Sequence, residues 1–306
     1  MKKFILKVLI FLLPIVLFFA LGLLLPATPR AAKSMLMAEI KKDSLLVNTD
    51  TPRIIFVGGS NLSFGLNSQM IKDSFNINPI NTSLHAGLGL KYMMRNTLQY
   101  IKEGDIVVLV SEYHLFFKDV NSTSPELLRM AFDVNKKKIL LFDFYQMIDF
   151  LQYVPQYVLT KFKIKEYKDT IEDEIYGVNS YNKYGDTFKH WNKERQGANL
   201  FVVKGNFNED VVKEIKKFEN CLIKKGATLF VSYPCYQEES FRTSIDRIKE
   251  VEEAIKKYNF KILGNPERYM MNDSLIFNSA YHLNKQGVDL RTELLIEYLK
   301  NSEINK

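Results

Sequence analysis

Two cysteines, one tryptophan and four histidines in 306 residues give several chemistries little to work with. Cys221 and Cys235 permit at most one disulfide, and two unpaired buried thiols read equally well, so a disulfide-stapled scaffold is excluded. His85, His114, His190 and His282 show no metal-ligand spacing, and no bound metal is expected. The G-K-[ST] phosphate loop and the G-x-G-x-x-G dinucleotide turn are both absent, and no organic cofactor is implied. Fourteen glycines and nine prolines, beside 46% apolar and 25% charged residues, exclude collagen-like and disordered chains. A long run of one charge is also missing. The formal net charge of +7 is scattered along the chain, and Lys2, Lys3 and Lys7 supply three of it. Nucleic acid is therefore not an expected partner; an anionic membrane or wall polymer accounts for the excess as well.

What is present begins with residues 8–25, VLIFLLPIVLFFALGLLL, eighteen positions without a charge. At 1.5 Å per residue a helix over them spans about 27 Å, enough for a bilayer core and longer than the apolar centre of a cleavable signal. The run has no polar stripe, unlike a helix packed at the edge of a core. The reading is a membrane anchor over 1–28, a lysine-rich stalk over 29–50 and a folded domain over 51–306. A short N-terminal tail before a long domain resembles a signal anchor, which places the protein in the cell membrane as a single-pass chain with its C-terminal domain extracytoplasmic. Arg30, Lys33, Lys41 and Lys42 on the far flank nearly balance the N-terminal lysines.

Within the domain, RIIFV at 53–57 runs into Gly58-Gly59-Ser60, and IVVLV follows Asp105 without polar alternation, as buried strands do. Weaker strand patterns occupy 78–84, 227–232 and 260–263. Helical spacing covers 91–101, 209–225, 243–258 and 285–299, with Gly226 closing the second of these. This alternation predicts an α/β fold, a doubly wound parallel sheet in a three-layer sandwich, with a largely helical insertion at about 120–208. Ligand sites in such sheets lie beyond the carboxyl ends of the strands.

Ser60 falls there, in a turn where Gly58, Gly59 and Gly65 let backbone approach a ligand closely. A turn serine is more often structural than nucleophilic, and the G-x-S-x-G elbow fails because Leu62 replaces its second glycine. His282, in FNSAYHLNKQG just before the last helix, is the histidine best placed to take a serine proton. The order Ser60, Gly87 in NTSLHAG, His282 resembles the SGNH hydrolase superfamily of GDSL-type esterases and acyltransferases. More narrowly, GGSNLSFGLNS, EGDIVVLVSEYHLF and AYHLNKQGVDLRT are similar to membrane-anchored SGNH-like proteins that accompany membrane-bound O-acyltransferases. The resemblance covers 53–117 and 226–299, about half of the chain.

That resemblance implies a flavodoxin-like sheet, with Ser60 as nucleophile, His282 as base, and the amides of Ser60 and Gly87 as oxyanion hole. It further implies an O-acyltransferase or esterase acting on a cell-envelope polysaccharide or teichoic-acid-type polymer, with a membrane-bound O-acyltransferase as partner. Two departures bear on catalysis. The family's acid lies about three residues before the histidine, where this chain has Ser279, then Asn278, and no carboxylate before Asp273. An Asn can hold an imidazole but cannot stabilise its charge, and the trypsin triad loses about 10⁴ in kcat when its Asp becomes Asn. The family's oxyanion Asn is replaced by Ser111-Glu112-Tyr113, where Glu112 would repel an oxyanion unless it turned toward His282 as the missing acid. Candidate orienters are thus Asn278, Glu112 and Asp273. The alternative is a non-catalytic member of the fold that binds glycan or an acyltransferase. Asn61, Tyr113 and Tyr281, with Asn182 and Asp186 from the insertion's YNKYGD loop, are candidate pocket residues; that loop reads otherwise as one packed by its own aromatics.

Overall fold

The computed structural model describes residues 1–168 and 170–302; the last four positions assigned to the domain lie outside the described residues. It opens with α1 (Lys2–Leu24), 23 residues and about 34 Å long at 1.5 Å per residue, in which Gly22 is the buried position. The lysine-rich segment expected as a stalk is folded onto the domain instead. There α2 (Ala38–Asn48) buries Leu46 and Lys42, and Lys42 donates to the carbonyls of Asn81 (3.0 Å) and Gly185 (2.6 Å). Burial outweighs the neighbouring Glu39 and Asp186 carboxylates and brings the Lys42 pKa down to about 7.

Then follow β1 (Arg53–Gly58), α3 (Ser60–Ser63), α4 (Ser68–Phe75), β2 (Asn78–Asn81), α5 (Leu90–Leu98) and β3 (Ile106–Val110). The insertion carries short helical turns, including α6 (Phe144–Asp149) and α7 (Val154–Thr160). Alternation returns with α8 (Glu209–Lys224), β4 (Thr228–Ser232), α9 (Ile245–Lys257) and β5 (Ile262–Leu263). A hairpin of β6 (Ile276–Ser279) and β7 (His282–Leu283) precedes α10 (Lys285–Lys300). Gly226, at φ +73°, ends α8 as its spacing predicts. The helix expected over 243–258 runs from Ile245, and Thr243 ends a separate short helix that begins at Glu238; at the break between them the Ser244 hydroxyl accepts the Val203 amide at 3.0 Å and ties the end of the insertion to the domain.

The five central strands are all parallel, in the order β2-β1-β3-β4-β5, with β1 and β3 in register from Ile54↔Ile106 to Gly58↔Val110. Their apolar runs lack alternation because both faces are covered. Ile55, Val57, Val107 and Leu109 join the core built with α5, α8 and α9; Ile54, Phe56, Val108 and Val110 pack with α3, α4 and α10. At the amino edge the fully buried Arg53 and Asp105 pair (Nε to Oδ1 2.8 Å), with the Leu46 and Tyr100 carbonyls taking further guanidinium protons. Polar demand is therefore met at that end. Cys221 on α8 and the fully buried Cys235 are free thiols.

Candidate functional site

Ser60 opens α3 at the carboxyl edge of β1 and is half-buried. Two glycines make its position possible. A Cβ on Gly58 would lie 2.2 Å from the Val110 carbonyl oxygen, and one on Gly59 would lie 2.4 and 2.6 Å from the two Glu112 carboxylate oxygens. The strand end and Glu112 thus pack directly against the turn. Among the described residues neither the Ser60 hydroxyl nor its amide has a hydrogen-bond partner, as expected of the first amides of a helix.

The β6–β7 hairpin is latched to the same segment. The Leu283 amide donates to the Phe64 carbonyl at 3.3 Å, and the His282 ring stacks on Phe64 with centroids 4.2 Å apart and planes 10° from parallel. Nδ1 of His282 lies 2.9 Å from Oδ1 of Asn278, whose amide nitrogen donates to the Tyr176 hydroxyl at 2.8 Å. With the Asn278 nitrogen committed to Tyr176, its oxygen faces the ring; Nδ1 then carries the proton and Nε2 keeps its lone pair. Burial, reinforced by His190 and His85, lowers the His282 pKa to about 3. The imidazole is neutral across the physiological range.

Of the three candidate orienters, Asn278 is the one that touches His282. Asp273 accepts from Gln237 (2.7 Å) and pairs with Arg195. Glu112, fully buried, accepts the Asn61 amide at 3.1 Å with Oε1. Burial pushes the Glu112 pKa up against the opposing Asn61 hydrogen bonds. The Gly87 amide, expected in the oxyanion hole, donates to Nδ1 of His85 at 3.0 Å and is therefore occupied. That bond puts the remaining proton of a neutral His85 on Nε2. His85 also shares a charge environment with Glu112, His114 and His282. Sequence reading set His85 aside; its position after a strand was the only signal available.

The proposed pocket residues divide. Asn61 is fully buried, with its amide nitrogen on the Val110 carbonyl at 3.2 Å, so it ties β1 to β3 rather than lining an opening. Tyr113 is likewise interior, and Tyr281 is stacked on Tyr236 at 4.5 Å. Asp186, fully buried, accepts from the Ser68 amide and hydroxyl, Asn81 and Asn182, while Asn182 accepts the Tyr184 and Asp186 amides. These two close their own loop over β2, which is the structural reading of YNKYGD. Among the described residues, however, Asn61 Oδ1, Glu112 Oε2, Tyr113 Oη and His114 Nδ1 are buried with no hydrogen-bond partner. Native interiors rarely leave such groups unpaired, and the first two lie directly against the Ser60 turn.

A cleft of about 640 Å³ lies between residues 28–34 and the insertion, with Arg30, Arg129, Asp133, Tyr157 and Glu166 among its walls. Tyr176 lines it too, so the residue that fixes Asn278 borders this opening. No group of three or more His, Cys, Asp or Glu among the described residues is arranged to hold a metal ion. No protein-family model matches the chain, and no curated protein matches it significantly.

Proposed function

We propose that the chain is an extracytoplasmic, membrane-anchored SGNH-like O-acyltransferase or esterase that acts on a cell-envelope polysaccharide or teichoic-acid-type polymer. The doubly wound arrangement of that superfamily agrees with strand order β2-β1-β3-β4-β5 and cover on both faces. The observation that carries the reading is the latch between the His282 hairpin and the segment Ser60 opens, which brings the two residues to one edge of the sheet. Ser60 accepts the acyl group as His282 takes its hydroxyl proton through Nε2 and delivers it to the leaving oxygen; His282 then takes the proton of the incoming hydroxyl or water and returns it to Ser60 Oγ as the acyl group departs, while Asn278 holds the imidazole. The free Ser60 amide is the donor for the oxyanion in place of the occupied Gly87 amide. In Ser60→Ala, acyl transfer and labelling by a fluorophosphonate are lost while the thermal melt is unchanged. Undiminished labelling would rule out the mechanism.

A second reading is a non-catalytic member of the fold that binds glycan or a membrane-bound acyltransferase. Its support is the neutral Asn278 where a triad needs a carboxylate and the Glu112 carboxylate beneath the turn. It predicts no fluorophosphonate labelling of the folded wild type.

A further inference from the structure

The C-terminal third of α1 does not stand clear of the domain. Phe18 stacks on Phe162 with centroids 5.5 Å apart, and Gly22 lies so close to Val158 of α7 that a Cβ there would sit 2.2 Å from its Cγ1. Lysines of the insertion hold the end of the helix: Lys136 donates to the Leu24 carbonyl at 3.1 Å, and Lys161 to those of Leu25 (3.2 Å) and Pro26 (2.9 Å). Phe18 precedes Leu24 by six residues, about 9 Å along the axis. If α1 spans a bilayer, Phe162 is held below the surface at which the helix emerges.

The segment that leads to Phe162 is apolar and exposed. Phe144 is 72% exposed, Tyr145 73%, Leu151 66%, Leu159 51%, Phe162 56% and Ile164 69%. Isolated exposed hydrophobics need no explanation, but six within the 21 residues 144–164, which carry α6 and α7, do. The same stretch, residues 136–168, holds seven lysines against three carboxylates, which equals the net charge of the whole chain beyond its N-terminal lysines. Lys138 and Lys161 are buried in ion pairs; Lys136, Lys137, Lys163, Lys165 and Lys168 are exposed.

We infer that α6, α7 and the turn at 161–168 form a monotopic collar that lies in the bilayer leaflet at the C-terminal end of α1, with exposed lysines among anionic headgroups. The inference rests on the anchor reading of α1. Its physical content is the pairing of apolar side chains with flanking lysines that place a segment roughly 5–10 Å into the headgroup boundary. The domain is thereby held at a fixed height and orientation over the membrane, with the cleft beside α7 close to the lipid surface.

The test uses the full chain in vesicles of phosphatidylcholine with phosphatidylglycerol, on a Cys221→Ser background, since Cys235 is fully buried. Nitroxides at Leu151→Cys, Phe162→Cys and Ile164→Cys are compared with labels at Lys249→Cys on α9 and Phe11→Cys in α1. Oxygen and a water-soluble nickel complex serve as relaxants. The collar labels should show severalfold higher oxygen-to-nickel accessibility than Lys249→Cys, at a depth of about 5–10 Å. Collar labels as nickel-accessible as Lys249→Cys, with Phe11→Cys deep in the bilayer, overturn the collar alone. A nickel-accessible Phe11→Cys overturns the anchor and the collar together. Labels shielded from both relaxants place a protein partner or a second copy on the surface, which also overturns a lipid contact.

Discussion

At His282 burial acts against charge, and among the described residues no carboxylate is hydrogen-bonded to the ring to oppose it. Asn278→Asp supplies one on Nδ1. The Tyr176 hydroxyl can then donate to the carboxylate, so the expected result is a His282 pKa above about 3, read by NMR titration, together with, under the mechanism proposed above, faster acyl transfer. A slower enzyme with a raised pKa would refute His282 as the limiting base. The same burial makes a prediction about stability. His114 and His190 are lowered by burial to about 4 and His282 to about 3, against 6.5 for a free imidazole. Below pH 6.5 the unfolded chain therefore takes up protons that the native state refuses. The stability these three imidazoles contribute is complete above pH 6.5 and falls progressively toward pH 4. Each tenfold weakening of proton binding is worth about 1.4 kcal/mol, so the combined loss from the three imidazoles is several kcal/mol. Melting temperatures across that window should drop, and less so in His190→Gln; a flat profile would show that the imidazoles are not held neutral. None of these environments could be read from sequence, where a histidine in a polar loop looks the same whether its ring is stacked on Phe64 or in water.

Among the elements, the buried strands were the most legible. RIIFV and IVVLV announce themselves by apolar continuity, and both fall within a residue or so of β1 and β3. The turn after β1 was legible as a turn, but its reason was not: Gly58 is required because β1 approaches the Val110 carbonyl across the sheet. Gly58→Ala forces those strands apart, and overpacking of this kind costs about 1–3 kcal/mol, measurable by urea unfolding. An unchanged midpoint would mean that the strand ends have slack. The β6–β7 hairpin escaped sequence reading because its strands, four and two residues long, are too short to show a period. It is stabilised by the Leu283-to-Phe64 hydrogen bond and by stacking, which join residues more than two hundred positions apart.

For the whole molecule, α1 and the insertion act as one body where sequence reading separated anchor, stalk and domain. Lys161 is central to that union. Nearly fully buried, it donates to the Leu25 and Pro26 carbonyls and pairs with Asp133 at 3.0 Å. Lys161→Met takes one of two cations from the buried Asp133 carboxylate, which keeps Arg129 (3.0 Å) and the Tyr157 hydroxyl (2.7 Å), and frees the Leu25 and Pro26 carbonyls, so it should destabilise the chain by about 1–3 kcal/mol with added mobility of the α1–α7 junction; an unchanged melt would indicate that Arg129 and Tyr157 suffice as partners. The sequence alone determined the apolar helix, the parallel strands and the serine turn, because continuity and periodicity of apolar residues are local properties of the chain. Only the tertiary structure decided which amide is free, which side chain meets His282 and where α1 rests. Those outcomes depend on distances between segments that no local pattern encodes. Gly87 is occupied because its amide meets Nδ1 of His85, Asn278 meets His282 while Asp273 pairs with Arg195, and the lysine-rich segment is packed with Lys42 donating to the Asn81 and Gly185 carbonyls.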